Sequence, residues 1–182
     1  MLDSIDRVLL SQEELKNKVE EIGRNISRDY SGKNPLILSV LKGSFIFMSD
    51  LVRAVDIPCT VDFMSVSSYG AGTKTTGAVK IIKDLDIDIS GRDIIIVEDI
   101  LDSGVTLSYI MGLMEAKNAA SISICTLLDK PSRRKVPVKV SYSGFEIPDE
   151  FVVGYGLDYA EKYRNLPFIG ILKPEVYQKT ID

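Results

Sequence analysis

Hydrophobic and polar positions in the first third of the chain follow helical spacing, then a solid apolar run, then helical spacing again. Residues 11–14 have the form of a capping box, and the helix predicted after them runs to about Gly32. The apolar run over residues 35–41 predicts a strand that is buried on both faces. Residues 45–55 predict a second helix. Because its first turn is apolar all round, we expect one side of it to meet another subunit.

The same alternation continues through the middle of the chain and stops near Lys130. The predicted strands cover residues 60–66, 79–82, 93–97 and 121–128, and a predicted helix covers about 105–117. Strands that alternate with helices are typical of an α/β fold with a parallel, doubly wound sheet. After Lys130 the chain shows short strands and turns. We therefore expect residues 1–182 to form a single domain, with a small hood region built mainly from the N-terminal residues and from about 130–182.

Composition narrows the class of protein and its partners. Of the 182 residues, 45% are hydrophobic and 26% are charged, as in ordinary soluble globular proteins. The formal charge of −4 argues against a nucleic-acid partner, and no apolar run approaches the roughly 20 residues that span a membrane. Residues 1–7 lack the pattern of a signal peptide. Cys59 and Cys125 lie in strand-like runs, where we expect buried thiols in a reducing cytoplasm rather than a disulfide.

The absence of histidine limits the chemistry of any active site in this chain. The sequence contains no His, which excludes imidazole acid–base catalysis and His-ligated zinc. A bound metal must then be held by oxygen, which favours Mg²⁺, Mn²⁺ or Ca²⁺. Acid–base work must fall to Asp, Glu, Lys, Tyr or water.

An apolar strand that ends in carboxylates and a small-residue loop is the most informative stretch of the sequence. The predicted strand leads into Glu98 and Asp99, and Asp102 follows in the loop, at the edge of the sheet where α/β folds bind ligands. The backbone N–H groups beyond Gly104 and the nearby hydroxyls suit a phosphate. Carboxylates beside a phosphate need a cation or sugar hydroxyls between them, so the stretch indicates a phosphorylated sugar bound with Mg²⁺. The alternative is a helix cap at residues 102–103 and solvated acids.

Residues 97–106 resemble the phosphoribosyl pyrophosphate motif of type I phosphoribosyltransferases. In that family the loop holds the 5′-phosphate, and the acid pair engages the ribose hydroxyls directly or through Mg²⁺. The resemblance gives these roles to Glu98, Asp99, Asp102, Ser103, Gly104, Val105 and Thr106. By the same resemblance, Glu98 and Asp99 are candidate metal ligands.

Two earlier segments are similar to further parts of that family. Lys42 and Gly43 resemble its pyrophosphate loop, in which a non-proline cis peptide turns an N–H towards the leaving group; a plain turn with Ser44 as helix N-cap is the alternative. Residues 67–77, with Ser68 and Tyr69, resemble the mobile loop that closes over the reaction centre. A floppy hairpin tip is the alternative there. Closure would exclude water and so protect the activated sugar from hydrolysis.

Residues 129–131 and 144–159 closely resemble hypoxanthine-guanine phosphoribosyltransferases. The resemblance places Lys130, Phe151, Val152 and Asp158 around the purine, and Arg164 on the pyrophosphate. Lys130 would donate to the 6-oxo group, the Phe151 ring would stack on the base, and the Val152 backbone would pair with it. Asp158 would also be the ligand of a second Mg²⁺. Taken alone, Lys130 would instead be interpreted as a solvated lysine, Phe151 as a core residue and Arg164 as a surface charge.

The resemblance implies a Mg²⁺-dependent enzyme of purine salvage. It would transfer the phosphoribosyl group of 5-phosphoribosyl 1-pyrophosphate to N9 of hypoxanthine and guanine, giving IMP or GMP and pyrophosphate. Asp102 is the candidate catalytic residue, which accepts or holds the proton of the base or only orients the base electrostatically. The expected assembly is a homodimer or homotetramer. A xanthine- or adenine-preferring enzyme and a non-catalytic, ligand-sensing regulator with the same fold are the alternatives.

Overall fold

The computed structural model describes residues 1–68 and 79–178 of the chain. The first half contains β1 (Ile5–Leu10), α1 (Gln12–Asp29), β2 (Leu36–Leu41), α2 (Phe45–Ala54), β3 (Thr60–Ser68) and β4 (Val79–Lys83). The second half contains β5 (Asp93–Leu101), α3 (Val105–Ala116), β6 (Ser121–Asp129), β7 (Tyr142–Glu146), β8 (Val152–Val153), β9 (Ile169–Leu172) and the short α4 (Pro174–Tyr177).

The predicted capping box starts α1. The Ser11 hydroxyl accepts a hydrogen bond from the Glu14 backbone N–H at 3.3 Å, and the Glu14 carboxylate accepts one from the Ser11 N–H at 2.8 Å. Two of the N–H groups that a helix start leaves without partners are thereby satisfied. The apolar residues at helical spacing then face the core, where they are buried.

The main sheet has six strands in the order β4-β3-β2-β5-β6-β7, and every neighbouring pair except β3 and β4 is parallel. Its two central strands, β2 and β5, are buried on both faces. Alternate residues point to opposite sides, so Ile37 and Ile95 pack with α1 and α2, whereas Leu36 and Ile94 pack with α3. The predicted α/β fold with a doubly wound, mostly parallel sheet is confirmed.

A second, three-stranded antiparallel sheet lies apart from the main one, in the order β1-β9-β8. It joins the N-terminal strand to two strands near the end of the chain, and is called the hood sheet below. The tail differs from the prediction in one respect, because β7 runs parallel to β6 and extends the main sheet. The residues after 130 therefore contribute to both sheets.

Three further features bear on the sequence-based expectations. Strand β5 continues to Leu101 and β3 to Ser68, four and two residues beyond their predicted ends. Cys59 and Cys125 are both free thiols, as expected, but only Cys125 is buried, whereas Cys59 is partly exposed. None of the helices in residues 1–68 and 79–178 is long and apolar enough to cross a membrane.

Candidate active site

The turn that follows β2 brings a basic residue and a glycine to the carboxyl edge of the main sheet. The peptide bond between Leu41 and Lys42 is cis, as the resemblance implied. The Ser44 hydroxyl donates to the Val40 carbonyl oxygen at 2.6 Å and does not cap α2. Ser44 occupies the N-cap position of α2, as in the alternative interpretation, but its hydroxyl fastens the turn back onto β2, and the cis peptide means that the turn is not a plain one.

Gly43 lies where three distant segments meet. A Cβ atom added to Gly43 would lie 1.8 Å from the Asp99 carboxylate oxygen Oδ2, and one added to Gly156 would lie 2.0 Å from the Gly43 carbonyl oxygen. Real Cβ contacts are never this short, so the backbone approaches the carboxylate more closely than any side chain would allow. This contact places the turn after β2 beside the acid pair of β5.

The acid pair lies within the last residues of β5. Burial, and then the charge of Asp99, raise the pKa of Glu98 well above its usual range. Burial raises the pKa of Asp99 to about 6, although its carboxylate accepts a hydrogen bond from the Ile100 N–H at 2.8 Å. The Glu98 oxygen Oε2 is buried and has no hydrogen-bond partner among the described residues. Such a group is suited to a cation or to hydroxyl donors supplied by a ligand.

The loop between β5 and α3 has the form of an anion site. Gly104 occupies the N-cap of α3 with a φ of 80°, and the Ser103 hydroxyl accepts a long hydrogen bond from the Val105 N–H at 3.4 Å. Since Gly104 has no side chain to cap the helix, the next N–H groups at the start of α3 are open to a ligand, and the helix dipole favours an anion. A small pocket of about 80 Å³ opens at this point and is lined partly by Ser103, Gly104 and Thr106. The alternative in which residues 102 and 103 serve as helix caps holds in part, because Ser103 accepts the hydrogen bond from Val105, whereas the Asp102 carboxylate pairs with Arg133.

Lys130 is a buried cation at the end of β6. Only 8% of its side chain is exposed, and its Nζ donates to the Glu150 carbonyl oxygen at 2.6 Å. Nearby, the Arg133 guanidinium bridges the Asp102 and Asp149 carboxylates at 3.0 and 3.2 Å. Lys130 is therefore not the solvated lysine of the alternative interpretation. Its ammonium group lies between the strand edge and the segment that precedes Phe151.

Phe151 presents an aromatic face beside this cation. It stacks on Tyr177 of α4, with ring centroids 4.9 Å apart, and meets Tyr159 edge-on at 5.6 Å. With 37% of its surface exposed, Phe151 is not a core residue. Partial exposure leaves ring surface available for a further flat ring to stack on.

The backbone of Val152 faces the open edge of the hood sheet. Strand β8 is the edge strand of that sheet, and Val152 lies opposite Ile171 of β9. The Leu172 N–H donates to the Phe151 carbonyl oxygen at 2.8 Å, which makes Val152 and Ile171 a non-hydrogen-bonded pair. The Val152 N–H and C=O therefore point away from β9, where they can pair with a ligand.

Arg164 organises the segment that follows β8. Its guanidinium lies 2.8 Å from the Asp158 carboxylate and donates to the Gly156 carbonyl oxygen at 2.8 Å. Its Nε atom is buried without a hydrogen-bond partner among the described residues. Since 20% of the side chain is exposed, Arg164 is a partly buried group of the site rather than a surface charge.

The phosphate loop, the acid pair and the basic turn thus meet at the carboxyl edge of one parallel sheet. Residues 9–160 match the phosphoribosyl transferase domain, which is more than half of the chain. The chain belongs to the phosphoribosyl transferase family.

Proteins named as hypoxanthine or hypoxanthine-guanine phosphoribosyltransferases are similar to the chain over nearly its whole length. It is 56% identical to the hypoxanthine-guanine phosphoribosyltransferase of Bacillus subtilis, over 98% of this chain and 99% of that protein. It is 54% identical to the bifunctional TilS/HprT protein of Listeria monocytogenes, but spans only 28% of that protein's length. A solved hypoxanthine phosphoribosyltransferase from Staphylococcus aureus superimposes with a TM-score of 0.94 at 51% identity, over 97% of this chain and 96% of that chain.

Most of the residues expected from the phosphoribosyl transferase resemblance converge, with some exceptions. Tyr69 and most of the expected mobile loop lie outside the described residues, and Ser68 is described only as the last residue of β3. Glu98, Asp99 and Asp158 do not form a compact metal cluster. In the parts of the chain that the structure describes, no three His, Cys, Asp or Glu side chains come together in that way.

Sequence reasoning missed several residues of the site. Arg134 donates to the Asp102 carbonyl oxygen at 3.0 Å and pairs with Asp129, so it fastens the phosphate loop to the end of β6. Glu161 and Tyr177 contact predicted site residues. The basic run after Lys130 was a visible signal for Arg134. Tyr177 lies far in sequence from Phe151, and Glu161 lies far from Lys42, so these two contacts carry no local signal.

Proposed function

We propose that this chain transfers the phosphoribosyl group of phosphoribosyl pyrophosphate to N9 of hypoxanthine and guanine, with release of pyrophosphate. The observation that carries the proposal is the convergence of the buried acid pair, the Gly104 loop before α3 and the buried Lys130 at one sheet edge. The names of the relatives in Bacillus subtilis and Staphylococcus aureus support the same activity. No finding favours the regulator alternative.

The phosphoribosyl pyrophosphate would lie across the edge of the sheet from the loop to the turn after β2. The N–H groups at the start of α3, with Ser103, Gly104, Val105 and Thr106, would hold the 5′-phosphate. Glu98 and Asp99 would accept hydrogen bonds from the ribose hydroxyls. Lys42, the Gly43 backbone and Arg164 would meet the pyrophosphate, and the buried, unpartnered Arg164 Nε supports that role. Residues 67–77 would close over the reaction centre, with Ser68 and Tyr69 beside the substrate.

Magnesium is the cofactor that the carboxylates fit best. The unpartnered Glu98 oxygen and the raised pKa values of Glu98 and Asp99 describe acids that a nearby cation would favour in their ionised form. Mg²⁺ keeps several waters and usually takes one or two carboxylates together with substrate phosphates, so it needs no compact protein cluster. Glu98 and Asp99 would hold one ion and Asp158 a second. When bound, the ions would neutralise charge on the pyrophosphate.

The base would lie between Lys130 and the open edge of β8. The Lys130 ammonium offers only donors, which suits the 6-oxo group of hypoxanthine or guanine. The outward-facing Val152 N–H and C=O would pair with the base, and Phe151 would stack on it. Asp102, which lies in the loop before α3 and pairs with Arg133, would accept or hold the proton that the base loses.

We also propose that the protein works as a homodimer or homotetramer in the cytoplasm. Phe45, at the apolar start of α2, is 42% exposed. The next residue, Ile46, lines a cavity of about 520 Å³ between α1, α2 and residues 165–167. Exposed apolar surface beside a concavity is typical of a subunit interface.

A direct assay tests the activity. The purified protein with hypoxanthine, phosphoribosyl pyrophosphate and Mg²⁺ should form IMP and pyrophosphate, with guanine also accepted, and EDTA should abolish the reaction. Adenine should give at most a trace, because the Lys130 donors would face its 6-amino donors in a partly dry site, and such mismatches cost up to about 10⁴–10⁵-fold in kcat/KM. Efficient use of adenine, or full turnover without metal, would reject the proposal.

A further inference from the structure

One carboxylate pairs with both of the cations assigned to the pyrophosphate. Glu161 Oε1 lies 3.2 Å from the Lys42 Nζ, and Glu161 Oε2 lies 3.4 Å from the Arg164 Nη2. Lys42 follows β2 and Arg164 follows β8, so the carboxylate connects the two walls of the expected pyrophosphate site. No role in the site follows for Glu161 from the resemblance in the sequence.

The backbone around Glu161 fixes the carboxylate in this position. Ala160 and Glu161 have φ angles of 51° and 60°, a left-handed turn that non-glycine residues adopt only where their surroundings hold them. The Glu161 N–H donates to the Asp158 carboxylate at 2.9 Å, and the other Asp158 oxygen lies 2.8 Å from Arg164. The turn is therefore tied to the same arginine that its side chain contacts.

We propose that Glu161 is an internal competitor of pyrophosphate, whose carboxylate holds Lys42 and Arg164 in the resting protein and gives them up when the ligand binds. Pyrophosphate carries several negative charges against one on the carboxylate, so it is expected to win both cations. After the reaction the carboxylate would return and favour release of the product. This inference rests on the proposed function, because it uses the pyrophosphate roles of Lys42 and Arg164.

The exposure of the ion pair sets the size of the expected effect. The Lys42 and Glu161 side chains are each 66% exposed, and an exposed ion pair contributes little stabilisation. In the wild-type protein, pyrophosphate must displace the Glu161 carboxylate, and this cost should weaken its binding by only about 2- to 5-fold. The direction of the change in pyrophosphate affinity distinguishes the two explanations. Removing an internal competitor tightens binding, whereas damage to the site weakens it.

The test is Glu161→Gln, with pyrophosphate binding in the presence of Mg²⁺ measured by isothermal titration calorimetry. We expect the variant to bind pyrophosphate about 2- to 5-fold more tightly at low salt, with a smaller gain at high salt because screening weakens the exposed pair. Glu21→Gln is the matched control, since Glu21 is 53% exposed and pairs with Lys18 on α1 at 2.8 Å. It makes the same change in net charge away from the site.

Unchanged or weaker pyrophosphate binding by Glu161→Gln overturns the proposal. An equal gain in pyrophosphate affinity in Glu21→Gln also overturns it, because the effect would then come from net charge alone. A steady-state assay adds a second measurement: pyrophosphate should become a stronger product inhibitor while the KM for hypoxanthine stays unchanged. The calorimetry needs no turnover. A protein that binds pyrophosphate as expected but forms no IMP would contradict the proposed function and leave the role of Glu161 standing.

Discussion

At the level of single residues, the site is built from charges that the protein holds inside. The side chain of Lys130 is almost completely buried, and the backbone carbonyl of Glu150 satisfies one of its three donors. Glu98 and Asp99 are the opposite case, because burial raises the pKa of both carboxyls, and the charge of Arg164 offsets this only in part for Asp99. Groups of this kind are expensive for folding and are typical of ligand sites.

The first residue-level prediction concerns Lys130. Lys130→Ala should lower kcat/KM with hypoxanthine by about 10²-fold or more, roughly the 3 kcal/mol of a charged hydrogen bond to the 6-oxo group. Steady-state kinetics measure the loss. Lys135→Ala is the control, since Lys135 is exposed and should tolerate the change. Wild-type kinetics in Lys130→Ala would show that this residue does not recognise the base.

The second concerns the pH dependence of stability. The pKa of Asp99 is raised to about 6, so between about pH 4 and 6 the folded protein keeps a proton that the unfolded chain releases. Stability is therefore lost as the pH rises through this window and stays lower above it. In the ligand-free protein, Asp99→Asn should remove this penalty, on the order of 2–3 kcal/mol at pH 7.5 and little near pH 4, while it abolishes turnover.

Denaturant unfolding at the two pH values measures this difference. Asp84→Asn is a control of opposite sign, because a hydrogen bond from Lys117 lowers the pKa of Asp84. Its ionised form stabilises the fold at neutral pH, and its removal should cost stability there. If the Asp99→Asn variant is no more stable than the wild type at pH 7.5, the buried Asp99 charge does not destabilise the fold.

At the level of elements, the site depends on how the turn after β2 and the loop after β5 lie against each other. The cis peptide and the Ser44 hydroxyl shape the turn after β2, and Gly104 shapes the loop before α3. The sheet then sets these two segments side by side, since β2 and β5 are neighbours and parallel. Within this arrangement, the Gly43 backbone approaches the carboxylate of Asp99, near the end of β5, more closely than a side chain at position 43 would allow.

The element-level prediction compares two glycines. Gly43→Ala should lower kcat/KM by at least an order of magnitude, because its Cβ would collide with the Asp99 carboxylate and push the two segments apart. Gly112, inside α3, has no atom within 4 Å of an added Cβ. Gly112→Ala should therefore leave kinetics unchanged and raise stability by about 0.5–1 kcal/mol. Kinetics and thermal melts measure both; equal kinetics in the two variants would argue against the tight contact at Gly43.

At the level of the whole molecule, exposed apolar surface at the start of α2 is the feature that one copy of the chain does not explain. Light scattering coupled to gel filtration should give a dimer or tetramer, and Phe45→Glu should shift it towards a smaller species by placing a charge in the interface. Tyr109→Glu on α3 is the matched control, because Tyr109 is about as exposed, at 41% against 42%. A monomeric wild type, or equal dissociation in both variants, would reject the proposed interface.

The sequence by itself determined the features that depend on neighbouring residues. The capping box, the apolar runs of β2 and β5 and the contiguous stretch from Glu98 to Thr106 are local patterns, and local periodicity is enough to predict the elements that contain them. The end of β5 was misjudged because the acid pair resembles a strand end. The ladder continues past it, with Ile100 opposite Leu128 of β6.

Only the tertiary structure decided the relations between distant segments. Lys42 and Glu161 are 119 residues apart in sequence and 3.2 Å apart in space, and neither residue carries a local sign of the other. The burial of Lys130, the open edge of Val152 and the extension of the main sheet by β7 likewise depend on which strands pair. The physical reason is that periodicity reports which side of an element faces the core, whereas the partner that fills that side is chosen by packing across the whole chain.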